Sequence, residues 1–235
     1  MPETHESKMQ RRVRREVRSP RAAVFAGIGY AILMYIIMIS TYTAKIQPED
    51  ISREWLENWS DTASLVIALV PFAGIAFLWF TGVVRDQLSY QEGRFFATLF
   101  FGSGIIHVVL LFIWSAVFGA VMVTRDMPAV GEAGSGIYVF GFVLMNEIIG
   151  NYLLRMSGIY MTAIGALWGR TGLMPHWLTT ITYILALGFI FAANRFREAR
   201  YIFPTWVLVV SIVILVLNFR SKQDQENAEE LINDV

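Results

Sequence analysis

SGIYVFGFVLMNEIIGNYLLRMSGIYMTAIGALW, residues 135 to 168, is a run of 34 residues that contains only two charges, Glu147 and Arg155. As a helix rising about 1.5 Å per residue it reaches roughly 51 Å, well beyond a hydrocarbon core of about 30 Å. Either it is one long tilted helix that protrudes, or it is interrupted near Gly150 or Gly158. Two full crossings would leave pieces of about 16 and 14 residues, below the usual minimum of about 17. One crossing is expected, and that choice fixes the number of spans in the chain.

Five further apolar runs have ordinary spanning length: Ala22 to Ala44, Thr62 to Val84, Phe95 to Val123, Trp177 to Ala193 and Tyr201 to Phe219. The expected fold is an all-α integral membrane helical bundle of about six transmembrane helices over residues 22–219. A basic tail, 1–21, precedes it, and a polar tail, 220–235, follows it. Composition agrees. Of 235 residues 55% are hydrophobic and 16% charged, with a mean hydropathy of +0.51; a soluble domain of this size needs more charge to cover its surface. The run from Ala22 to Ala44 is too long for the apolar region of a secretory signal, and no small-x-small cleavage site follows it, so it reads as a retained signal anchor.

Seven of the 19 Lys and Arg residues fall in the first 21 positions. With six spans and the N-terminus cytoplasmic, inside segments carry twelve Lys and Arg and outside segments six, as the positive-inside rule asks. A seven-span arrangement gives thirteen to six, so charge does not separate the two and span length decides. The side taken by the C-terminal tail depends on that choice. The expected location is the inner (plasma) membrane of a bacterium. The basic tail faces anionic lipid headgroups, each nearby cation contributing about 1 kcal/mol. The acidic tail SKQDQENAEELINDV reads as disordered or as a frayed helix. Between the first two spans, IQPEDISREWLENWSD places Ile51, Trp55, Leu56 and Trp59 at helical spacing, as an amphipathic connector of about residues 48–60 lying in the outer interface would.

Within MNEIIGNYLLR, Glu147, Asn151 and Arg155 recur at i, i+4 and i+8, each turned about 40° from the last. They form one polar stripe, which Asn146 widens. An unpaired charge at mid-bilayer costs at least about 2.5 kcal/mol, so the stripe is expected to face the bundle interior as an ion or proton site. Glu147 and Arg155 lie about 12 Å apart along the axis, a gap that Asn151 bridges. His107, in GSGIIHVVLLF of the third span, is the expected partner of Glu147, as a neutral hydrogen-bonding ring or as an ion pair.

Other chemistries are excluded by residue type. The chain has no cysteine, which removes disulfides, thiolate metal sites and cysteine nucleophiles. Glu147 is the only carboxylate in any span, so no intramembrane carboxylate pair or metal cluster is expected. Bis-histidine haem ligation needs a second intramembrane His, and a retinal Schiff base needs an intramembrane Lys; both are lacking. No glycine-rich phosphate loop occurs, and Gly102 and Gly104 read as close helix packing. Nucleic-acid binding has no support beyond the basic tail. No cofactor is expected, and an enzyme is the weaker expectation because no nucleophile can be named. Pro71 is expected to kink the second span; the loop VVRDQLSYQEGR reads as a solvated turn of balanced charge.

WFTGVVRD (Trp79 to Asp86), GRFFATLFFGSG (Gly93 to Gly104), LLRMSGIYM (Leu153 to Met161) and RTGLMPHWL (Arg170 to Leu178) resemble a group of bacterial multi-span membrane proteins common in actinobacteria. The resemblance covers most of residues 79 to 215, and RTGxxPxWL is its most specific piece. It implies a bacterial inner-membrane protein with a polar-striped helix before the RTG loop, and it transfers no activity, cofactor or catalytic residue.

Two functions follow as expectations. One is a small transporter or channel-like protein in which Glu147 takes and releases a proton or cation. The other is a structural or accessory subunit whose stripe fixes helix packing or docks a partner subunit or a second copy of the chain.

Overall fold

The computed structural model describes residues 20–43, 58–88, 94–124, 135–172, 174–192 and 198–233. The basic tail, nearly all of the amphipathic connector and the middle of the VVRDQLSYQEGR loop lie outside the described residues. In hydrocarbon each backbone N–H and C=O must be satisfied within the chain, and a helix does this inside one segment. The apolar runs accordingly form α1 (Pro20–Thr43), α2 (Ser60–Leu88), α3 (Arg94–Thr124), α4 (Ser135–Glu147), α5 (Leu154–Thr171), α6 (His176–Ala192) and α7 (Ala199–Asn233). There is no strand among the described residues.

A π-helical segment, Ile148–Leu153, joins α4 to α5 without a break in the rod. The Leu154 N–H donates to Ile149 O, five residues back, where an α-helix uses four. Both sequence alternatives thus meet: the fourth span is continuous from Ser135 to Thr171, and its hydrogen-bond ladder is interrupted around Gly150. Among the described residues five helices are long and apolar enough to cross a membrane, and α6 contributes a shorter apolar stretch, His176–Phe191. The protein is a multi-pass membrane protein built as a helical bundle of about six helices.

The helices close into a ring. α1 packs on α2 and α7, α2 on α3, α3 on the α4 to α5 rod, and α5 on α6. Trp206 on α7 donates its indole N–H to Thr182 on α6, 2.9 Å away, joining those two elements. Close approach depends on small residues. A Cβ on Gly158 would lie 2.9 Å from the Ala186 carbonyl oxygen and 3.0 Å from Phe189 Cβ, so only glycine lets α5 and α6 pack here. Their connection is tight because Gly172 takes φ +64° and caps α5, its N–H donating to Trp168 O. α2 runs through Pro71, and α7 continues as helix to Asn233. Of the two expectations for the C-terminal tail, the helical one holds for the backbone as far as Asn233.

Below, the proximal face is the one on which α1 begins, and the distal face the one on which it ends.

Candidate functional site

The middle of the ring is filled by aromatic side chains from five elements. Tyr30 (α1), Phe77 (α2), His107 (α3), Tyr160 (α5) and Phe203 (α7) are each essentially inaccessible. The Phe77 ring is tilted against Tyr30 at 4.8 Å, His107 at 4.9 Å and Tyr160 at 5.2 Å, and Phe203 is tilted against His107 at 4.8 Å. Such offset and tilted contacts add to area burial. They also close the bundle at this level.

His107 is the polar centre of the cluster. Ser157 Oγ donates to Leu153 O at 2.9 Å, which commits its only hydrogen. The ring must then donate from Nδ1 to Ser157 Oγ, at 3.0 Å. Nε2 is left as an acceptor for the Tyr30 hydroxyl, at 3.1 Å. A neutral imidazole with its proton on Nδ1 satisfies each group of this network. Tyr160 meets Thr81 at 3.1 Å. Among the described residues no buried side-chain nitrogen or oxygen lacks a partner, which is what a low-dielectric interior requires.

The expected pairing of His107 with Glu147 is corrected by these contacts. The two partners of the ring, Tyr30 and Ser157, are 77 and 50 residues away in sequence. Sequence offered a signal for both, each being a hydrogen-bonding residue inside an apolar span, but nothing that set their height against His107.

The stripe is corrected as well. Asn146, Glu147 and Arg155 are exposed and Asn151 is half-buried. The stripe lines the outside of this chain, not the bundle interior. Asn151 Nδ2 donates to the Glu147 carboxylate, and Arg155 Nη1 donates to the Asn151 carbonyl at 3.0 Å, so the link through Asn151 is present. Asn146 turns back on its own helix, donating to Phe142 O at 3.1 Å.

Arg155 has a second partner, on α6. Arg155 Nε donates to Ile190 O, 3.3 Å away, in the last turn of α6, where a cation also meets the negative end of the helix dipole. The apolar stretch of α6 measures only about 24 Å, short of the roughly 30 Å hydrocarbon core. Its beginning is marked as proximal by Arg170, whose guanidinium sits 5.0 Å from the Phe96 ring near the start of α3. Arg155 is thus level with the last turn of α6. Glu147 lies about 12 Å further along the rod.

Among the described residues no group of three or more His, Asp or Glu side chains is arranged to hold a metal. No family model, no characterised protein and no solved structure matches this chain. The resemblance drawn from its motifs therefore stands on those motifs alone.

Proposed function

We propose that this protein is an accessory subunit of a bacterial inner membrane, in which the aromatic ring around His107 holds the bundle closed and the Glu147, Asn151 and Arg155 stripe docks a partner. The observation that supports this reading is the contrast in exposure: the polar groups inside the bundle are mutually satisfied, whereas the charged stripe is turned outward beside the short end of α6. A carboxylate and a guanidinium linked through one Asn offer an acceptor and donors together, a pattern that a polar or charged segment of another chain can match. The aromatic cluster speaks against a permanently open conduction path, because Tyr30, Phe77, His107, Tyr160 and Phe203 fill the level that such a path would cross.

The absence of native cysteine makes the test direct. Asn151→Cys is probed in intact cells with a small membrane-impermeant thiol reagent, with single cysteines in each terminal tail as topology controls. The docking reading expects labelling from the distal side only, and copurification of a stoichiometric partner that Asn151→Leu loses. Labelling from the proximal side would mean that water crosses the aromatic ring, and transport would replace docking. Retention of the complete complex by Asn151→Leu would also end the docking reading.

A further inference from the structure

The fourth span is covered by α6 over only part of its length. α6 packs on α5 where Gly158 admits it, and its last turn is level with Arg155, whose Nε donates to Ile190 O. On the α4 side of that point Phe140, Val143 and Leu144 are exposed, and so is Glu147. Leu144, Val143 and Phe140 precede Glu147 by three, four and seven positions, so they share its face of the helix. Glu147 thus ends an exposed apolar strip, and Arg155 stands where the cover of α6 begins.

We propose that the partner docked by the stripe is a membrane helix of a different chain, with a cation facing Glu147 and a carboxylate facing Arg155, the two about 12 Å apart along its axis; this rests on the docking reading above. Each charge keeps capacity for it. Among the described residues the Glu147 carboxylate accepts only from Asn151 Nδ2, although a carboxylate has about four lone-pair sites. Arg155 uses Nε and one Nη1 hydrogen, and among the described residues no acceptor meets its Nη2 hydrogens. A Lys or Arg at the first level and an Asp or Glu at the second would complete both groups with charge-assisted bonds, which are roughly twice as strong as neutral ones. The exposed apolar strip supplies contact area, and the two charges fix register and choice of partner. Symmetry disfavours a second copy at this face. Copies inserted in one orientation are related by a two-fold axis along the membrane normal, which brings equal heights together. Across such an axis Glu147 meets Glu147 and Arg155 meets Arg155, and both contacts repel.

Defined helices serve as the probe. The full-length protein is co-expressed in a bacterial host with tagged single-span helices of Leu and Ala, whose basic N-terminal flank gives them the orientation of α1. The matched helix carries Glu at the level of Arg155 and, eight positions later, Lys at the level of Glu147; the reversed helix exchanges the two. Capture through the tag should recover at least about tenfold more protein with the matched helix than with the reversed one, equivalent to about 1.4 kcal/mol. E147K/R155E should invert that preference, a gain of binding that a misfolded variant cannot give. Equal recovery with both helices, recovery with neither, or an unchanged preference in E147K/R155E overturns the charge-paired partner. Co-capture of two differently tagged wild-type copies that Asn151→Leu abolishes overturns it too, because the partner would then be a second copy. A native complex that Asn151→Leu loses, together with equal recovery of the two helices, would leave docking standing and remove only the charge pairing. Retention of the native complex by Asn151→Leu ends the docking reading whichever helix is preferred.

Discussion

Two polar regions of this molecule obey opposite rules. Around His107 every group is neutral, inaccessible and satisfied by a side chain or carbonyl from another turn or another helix. Along the stripe, Glu147 and Arg155 are charged and exposed, Asn151 between them is half-buried, and all three are satisfied mainly within their own rod. The difference shows how a membrane bundle distributes polarity. Deep in the bundle, neutral donors and acceptors of matched number tie helices together; the ionised groups lie on the outer face of the chain.

Mutations can break or sharpen this contrast, read as unfolding free energies in detergent micelles. The largest effect is expected at Gly158→Ile, where the new side chain meets the α6 backbone; overpacking of this kind costs about 3 kcal/mol. His107→Leu should cost about 2 kcal/mol, since it strands the Tyr30 hydroxyl in an apolar cluster. Tyr160→Phe removes the contact with Thr81 alone and should cost about 0.6 kcal/mol, the average for a hydrogen bond between membrane helices. Asn151→Leu should stay within about 0.5 kcal/mol, as surface changes do, while abolishing copurification of the partner. An Asn151→Leu loss as large as that of His107→Leu would erase the contrast and return the stripe to the interior of an assembled core.

Helix existence and boundaries were legible in the sequence because hydrocarbon leaves the backbone few options. The expected Phe95 to Val123 is Arg94–Thr124, and Trp177 to Ala193 is His176–Ala192. The single long crossing from Ser135 was legible by length, and its irregular point near Gly150 by the glycine. The orientation of that rod was not. Around Glu147 the neighbours Phe140, Val143 and Leu144 are exposed while Phe142 and Met145 are buried. Apolar residues thus occupy both faces, and a helix that is hydrophobic all round gives no inward direction. The partner of Arg155 on α6 was equally hidden, since that contact spans 35 residues. The wrong partner for His107 follows from the same gap: Glu147 was the only carboxylate in reach by composition, but neutral Tyr30 and Ser157 were the groups at the right level.

The shortness of α6 also bears on how the protein is made. About 24 Å of apolar helix is a weak signal for release into lipid by itself, and its tight seat on α5 requires Gly158 and the Gly172 turn. During biosynthesis the two should therefore leave the insertion machinery as one hairpin, with α5 retained until α6 has emerged. Crosslinking of arrested nascent chains would show that delay, and Gly158→Ile would shorten it by letting α5 depart alone.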